Sequence, residues 1–289
     1  MSHRRRLAPI FLLASAGIGP AAWGPALLAA PPKAASKVTA SKATAPKVVA
    51  DSEGVLQKAR AAYVNLAGKG FNRCRFVATP DWAAMLAEQA KTNPEGYRAA
   101  LDLFAKVRFD VLVGPQGDAQ VSHNTVDSPN PQTTAGLNQV YSGMEQTLTG
   151  FFQTWAPFMV NTPFPPAGTP ARVEDTGSHY LVDWEETGDV KVHLQMDRTF
   201  TITEMKVKSP AFDSTIRPSF EHQPGGLVLA GYDAEYLSTA SSLRLKVQIR
   251  NQAIQDLPLP VALDLSVWMG EGARQQILMT FSGMTLEKK

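Results

Sequence analysis

The chain has 289 residues, of which 28 are basic, 26 acidic and 44% hydrophobic, and a single cysteine, Cys74. One cysteine excludes an intramolecular disulfide and any cysteine-rich metal site. Seven of the bases and none of the acids fall in residues 1–50, so residues 51–289 carry a net charge of −5, which argues against a nucleic-acid binder.

The chain opens with Arg4-Arg5-Arg6 and the apolar run Leu7–Ala14, the layout of a secretory signal. The run is too short and too interrupted by proline and glycine for a membrane span. Ala14-Ser15-Ala16 and Leu28-Ala29-Ala30 both offer cleavage points, and a twin-arginine route or retention as an anchor stays open. Residues 1–30 are therefore expected to be a signal, and the protein periplasmic or secreted. Residues 31–50 contain four lysines, no acid and no aromatic, so they cannot bury enough apolar surface to offset the entropy of ordering. They are expected to form a disordered linker, followed by one domain over 51–289.

Val55, Leu56, Ala59, Tyr63 and Leu66 have helical spacing over 53–67, with Ser52 as N-cap and Gly68 and Gly70 as stops. A strand follows at 71–78. Asp81 caps a second helix carrying Trp82, Met85 and Leu86. Pro94 breaks it, and Tyr97, Leu101 and Phe104 mark a third. Residues 107–113 and 119–124 flank the turn Gly114–Gly117 and read as a hairpin. The clearest helix spans about 134–155, where Leu137, Val140, Tyr141, Met144, Leu148, Phe151, Phe152 and Trp155 form one stripe. Thr133 or Thr134 caps it and Pro157 stops it. Residues 161–170 are proline-rich and irregular.

From residue 171 the period changes to two. Strands are expected at 171–175, 179–186, 189–196, 199–208, 212–221, 226–236, 242–250, 260–269 and 274–286, several joined by turns too short for anything but antiparallel neighbours. Val190, Val192, Leu194 and Met196 share a face, as do Leu243, Leu245, Val247 and Ile249, and Val261, Leu263, Leu265, Val267 and Met269. Lys191, His193 and Gln195, and then Arg244, Lys246, Gln248 and Arg250, point the other way. No internal repeat is evident. Only the helices are available to bury the apolar face. The expected fold is α+β, a strongly curved, half-barrel-like antiparallel sheet covered by amphipathic helices.

With Phe200-Thr-Ile-Thr-Glu-Met205 and Gly225-Gly226-Leu227-Val228-Leu229-Ala-Gly231-Tyr232 in such a frame, residues 53–289 resemble the periplasmic lipoprotein-carrier fold of the lipoprotein-localisation factors. The resemblance is one of architecture. It implies a concave face that holds acyl chains and helices that act as its lid, and no site residue of that family maps onto a position here.

Hydrolase, zincin, P-loop and dinucleotide-binding signatures are absent. His123, His179, His193 and His222 are scattered without metal-ligand spacing. Glu185 and Glu186 point to opposite faces, while Asp183 and Glu185 share one and read as an exposed strand. Arg244, Lys246 and Arg250 form a cationic stripe, either a solvated face or a dock for an anionic headgroup or partner. The remaining signal is large, adaptable apolar side chains. Phe151, Trp155, Phe158, Met159, Phe164, Met196, Met205 and Trp268 are the candidate lining of an apolar groove, with Phe158, Met159 and Phe164 in its lid. The bland reading makes each of them core.

These features lead to the expectation of a non-enzymatic carrier for a lipid or lipoprotein acyl chain, with no catalytic residues, metal or cofactor. Its expected partners are that ligand, an envelope protein and, transiently, the membrane. The alternative is an envelope structural or interaction module with a filled core. A third reading, a hydrolase whose site forms only in three dimensions, needs a cleft where histidines meet carboxylates.

Overall fold

The computed structural model describes residues 46–126, 131–238, 242–270, 272 and 274–288. The expected signal and most of the expected linker lie outside them. In chain order the elements are β1 (Lys47–Val48), α1 (Ser52–Ala61), β2 (Phe71–Pro80), α2 (Trp82–Met85), α3 (Ala87–Thr92), α4 (Pro94–Phe104), β3 (Phe109–Val113), β4 (Ala119–His123) and α5 (Pro131–Met159). Nine strands follow: β5 (Ala171–Asp175), β6 (His179–Glu186), β7 (Val190–Asp197), β8 (Ile202–Lys208), β9 (Asp213–Gln223), β10 (Gly226–Leu237), β11 (Ser242–Ile254), β12 (Leu257–Met269) and β13 (Gln275–Lys288). The molecule is mostly antiparallel sheet with few helices. Among the described residues no helix is long and apolar enough to cross a membrane.

The 13 strands form one open sheet in the order β1-β5-β6-β7-β8-β9-β10-β11-β12-β13-β2-β3-β4. The alternating second half of the chain supplies the meander from β5 to β13. The β6–β7 turn has Gly188 and Asp189 at positive φ, and the β11–β12 turn has Gln255 and Asp256 there (50° and 61°). Two consecutive left-handed residues give the twist that tight hairpins need. The N-terminal strands attach at both flanks. β2 pairs with β13, from Met279↔Pro80 to Lys288↔Phe71, and brings β3 and β4 with it, while β1 pairs with β5.

Three expectations change. The linker ends earlier than residue 50, because Lys47 and Val48 pair with Asp175 and Glu174, and the Val49 N–H donates to Val173 O at 2.9 Å, satisfying backbone groups along β5. The first helix stops at Ala61 rather than 67, and Asp51, not Ser52, caps it by accepting from the Gly54 N–H. Its successors Tyr63 and Val64 leave the helix to meet β10, with Leu227 N–H donating to Ala62 O (2.7 Å) and Val64 N–H to Leu227 O (3.0 Å). Only glycine fits beside them, since a Cβ on Gly226 would stand 2.4 Å from Ala62 O and its φ is +137°. Finally, α5 runs through Pro157 to Met159. A proline there removes one donor to the carbonyl four residues back, and Gln153, which carries that carbonyl, is not fully buried.

Tyr63 ties this N-terminal segment to the sheet. Its hydroxyl donates to Phe200 O (2.8 Å) and accepts from the buried Ile202 N–H (2.9 Å), holding the β7–β8 turn where Phe200 has a φ of +66°. Burial raises its pKa well above that of an ordinary phenol. Replacing Tyr63 by Phe orphans both backbone groups, so we expect a loss of about 1–3 kcal/mol in urea unfolding with the cooperativity unchanged.

Candidate functional site

The side chains that could hold an apolar ligand gather around α5. Its sequence carries a local seven-residue spacing, confined to this helix. Gln132, Gln139, Gln146 and Gln153 recur at that interval, as do Gly136, Gly143, Gly150 and Pro157. The stripe Leu137, Tyr141, Met144, Leu148, Phe151, Trp155 and Phe158 keeps the 3–4 spacing of a helical seam, and all seven are buried. Over 151–160 burial extends to Phe152, Thr154, Ala156, Met159 and Val160. Phe76 of β2 meets Phe152 at 5.0 Å between ring centroids and Trp155 at 6.0 Å. Phe281 of β13 stacks on Phe151 at 6.0 Å, and Phe220 of β9 meets Phe158 at 5.9 Å.

The structure brings seven of the eight expected groove residues into this one core. Phe151, Trp155, Phe158, Met159, Phe164, Met196 and Met205 are all buried. Phe158 and Met159 belong to the last turn of α5 instead of an irregular lid. The segment after them is pinned: Leu66 N–H donates to Met159 O (2.8 Å), Arg60 donates twice to Pro165 O (2.6 and 3.2 Å), and Phe164 sits edge-on to Tyr63 at 5.6 Å. Trp268 does not join them. Val267 is buried with the core, so Trp268, one residue on, faces the opposite side, between the guanidinium groups of Arg244 and Arg274 at 5.9 Å each. The strand alternation already implied this, and ring size outweighed it in the expectation.

Polar atoms interrupt the core at the β8–β10 strand ends. Ser214 and Tyr236 are register partners, both buried, and neither hydroxyl has a hydrogen-bond partner among the described residues. The Trp155 indole N–H and the Tyr141 hydroxyl are buried in the same condition. Thr154 lies by Tyr232 and Tyr236, and its own hydroxyl donates to Gly150 O at 3.1 Å. Burial raises both phenols, Tyr236 to about 12, and proximity to Thr154 tempers the rise without supplying Tyr236 a bond of good geometry. Buried hydroxyls normally cost free energy unless they are paired. Sequence reading missed this group because Ser and Tyr on a strand carry no spacing signal.

The polar face offers less chemistry. His193 Nδ1 lies 2.7 Å from Asp183 Oδ1, its cross-strand partner, and His123 Nδ1 lies 2.7 Å from Glu145 Oε1. The Asp183–His193 pair is more than the isolated exposed residues expected, but it has no neighbouring nucleophile, and among the described residues no group of three or more metal-ligating side chains converges. A surface depression of about 830 Å³ is lined by Pro170, Ala171, Trp184 and Val192 together with the charged Arg172, Asp183, Glu185, Lys191, Lys206 and Lys208 and by His193, and touches none of the expected groove residues.

Cys74 is fully buried in β2, and burial alone pushes its thiol up to about 12. In the native state it should therefore resist iodoacetamide at pH 8 and react only on unfolding. The neutral thiol and the neutral Tyr236 phenol are favoured by the fold. Their contribution to stability is full below pH 9 and is lost as pH rises from the ordinary thiol value of 9.0 toward 12. Urea midpoints measured across that window should fall, and Cys74→Ala should flatten the slope.

No family model, curated protein or solved structure matches the chain.

Proposed function

We propose that the protein is an exported envelope carrier that holds a lipid-like or lipoprotein acyl chain between a bent sheet and α5, with α5 as the stopper of the unloaded state. The observation that carries this reading is the setting of α5. Phe152 meets strands β2 and β13, whereas Thr154, two residues and about 200° further round the helix, lies by Tyr232 and Tyr236 of β10, four strands away from β2. A flat sheet touches one side of a helix about 10 Å wide. Contact on opposite sides supports a half-barrel wrapped around it, with amphipathic helices as its cover.

The helix inside is an adaptable plug. Gly136, Gly143 and Gly150 each cost roughly 1 kcal/mol relative to alanine in a helix interior, and Pro157 costs more. Thr147 and Thr154 hydrogen-bond back to Gly143 O and Gly150 O, a pattern that loosens helices. Apolar burial holds α5 in place, and an acyl chain offers the same burial. The unpaired Ser214 and Tyr236 hydroxyls would meet the ligand's polar end.

A second reading, an envelope interaction module without a ligand, is favoured by the burial of seven expected groove residues in a filled core. Native mass spectrometry of protein from the envelope fraction, together with titration of a fluorescent fatty acid, separates the two. The carrier should copurify with lipid or bind the probe, and hydrogen exchange in α5 should quicken on binding. Absence of lipid, probe binding and exchange change would leave the interaction module.

Gly136 is exposed, and a Cβ there would meet nothing within 4 Å. Gly136→Ala should therefore stabilise the protein by about 0.5–1 kcal/mol in urea and slow probe uptake. Faster uptake would contradict the stopper role.

A further inference from the structure

We propose that the strand ends carrying Leu237, Trp268 and Met269 dock on a lipid bilayer with anionic headgroups. This goes beyond the carrier reading and uses only surface residues.

The end of β10, the start of β11 and the end of β12 lie side by side at one end of the sheet. Leu237 is opposite Ser242, Leu243 is opposite Met269, and Gly270 N–H donates to Ser242 O at 2.9 Å. Among the described residues the exposed large hydrophobics are Val48, Leu237 (57%) and Met269 (45%), and two of the three stand at this rim, Leu237 on the outer face and Met269, in register with Leu243, on the inner face. Trp268 shares the outer face with Leu237 and stands between Arg244 and Arg274, with Arg274 Nε also donating to Ser266 Oγ at 3.0 Å.

The local charges differ from those elsewhere on the sheet. On β5–β9 most basic side chains are paired with carboxylates, as in Arg172–Glu174, Lys206–Glu204 and Arg217–Glu204. Among the described residues Arg244, Lys246 and Arg274 have no carboxylate within 4.0 Å. Asp233 and Glu235, opposite Lys246 and Arg244, lie on β10, the side away from Trp268, and Glu235 leans to Arg217 at 4.0 Å.

Two exposed apolar side chains, a tryptophan and cations with no carboxylate partner among the described residues have the layering of a bilayer interface. Leu237 and Met269 would enter the acyl boundary, Trp268 would sit at headgroup level, and the guanidinium groups would meet phosphates. Two protruding side chains are far too few for a stable protein interface, which takes about 800 Å² per partner. An anionic surface adds attraction at each cation, screened by salt.

The test is cosedimentation of the full chain with phosphatidylcholine vesicles, with and without phosphatidylglycerol. Binding is expected only with phosphatidylglycerol, weakened by salt, with a blue shift of tryptophan emission that Trp268→Phe removes. The double variants Leu237→Asp/Met269→Asp and Arg244→Gln/Arg274→Gln should each lower the partition coefficient on the order of tenfold while leaving the urea midpoint and fatty-acid probe binding unchanged. Equal binding to both vesicles, no binding to either, or variants that bind like the parent would overturn the proposal. The last result would assign any binding to the basic residues 1–50. A dimer in solution that the aspartate variant dissolves would also overturn it, giving the patch to a second copy. Loss of probe binding in the parent protein would sink the carrier reading and leave this one standing.

Discussion

Burial of the α5 aromatic stripe against the apolar side chains of the sheet is the constraint on which the molecule depends. Among the described residues there is no second sheet for this sheet to pack on, and its large apolar residues need a partner surface. Phe151, Phe152, Trp155 and Phe158 provide it, interlocking with Phe76, Phe220 and Phe281 from strands distant in the order. Each fully buried aromatic or aliphatic side chain contributes roughly 1.5–3 kcal/mol. Loss of this one helix would therefore expose several strands at once. The glycines that weaken α5 intrinsically are tolerated because tertiary burial, not helix propensity, sets its stability.

One end of the assembly is sealed more firmly than the other. Around Tyr63 the chain uses backbone bonds to Leu227, the Arg60 clamp on Pro165 and the ring of Phe164 to hold the C-terminal turn of α5 against the sheet. At the opposite strand ends Val190, Val207 and Leu243 remain only partly buried, and the orphaned Ser214 and Tyr236 hydroxyls lie just inside. In the proposed carrier, a ligand would meet less resistance at that end, close to the exposed Leu237 and Met269.

The period-two pattern from residue 171 onward located nearly every strand of the meander, because one wet face and one buried face leave a strong alternation in sequence. Asp81 was legible as a cap for the same local reason, and it accepts from the Ala84 N–H at 3.0 Å. What could not be read was non-local. Nothing in residues 71–80 announces that β13 is their neighbour, and nothing in Lys47–Val48 announces β5. The turn at Gln255-Asp256 lacks the glycine that usually marks it. Pro157 misled because a proline was taken as a stop, whereas deep burial of Phe158 and Met159 outweighs one missing hydrogen bond. Seven of the candidate groove residues lie in the buried core, and alternation, applied strictly, would have placed Trp268 outside it.

The pairing of β13 with β2 has a consequence for biogenesis. Residues 279–288 must find residues 71–80 across some two hundred intervening positions, so the central stretch of the sheet cannot close during synthesis until the distal segment has emerged. Such high contact order slows folding. The delay works like a timer: the chain stays open along this seam until its last strand is available, and export of the kind proposed above would find it still unfolded.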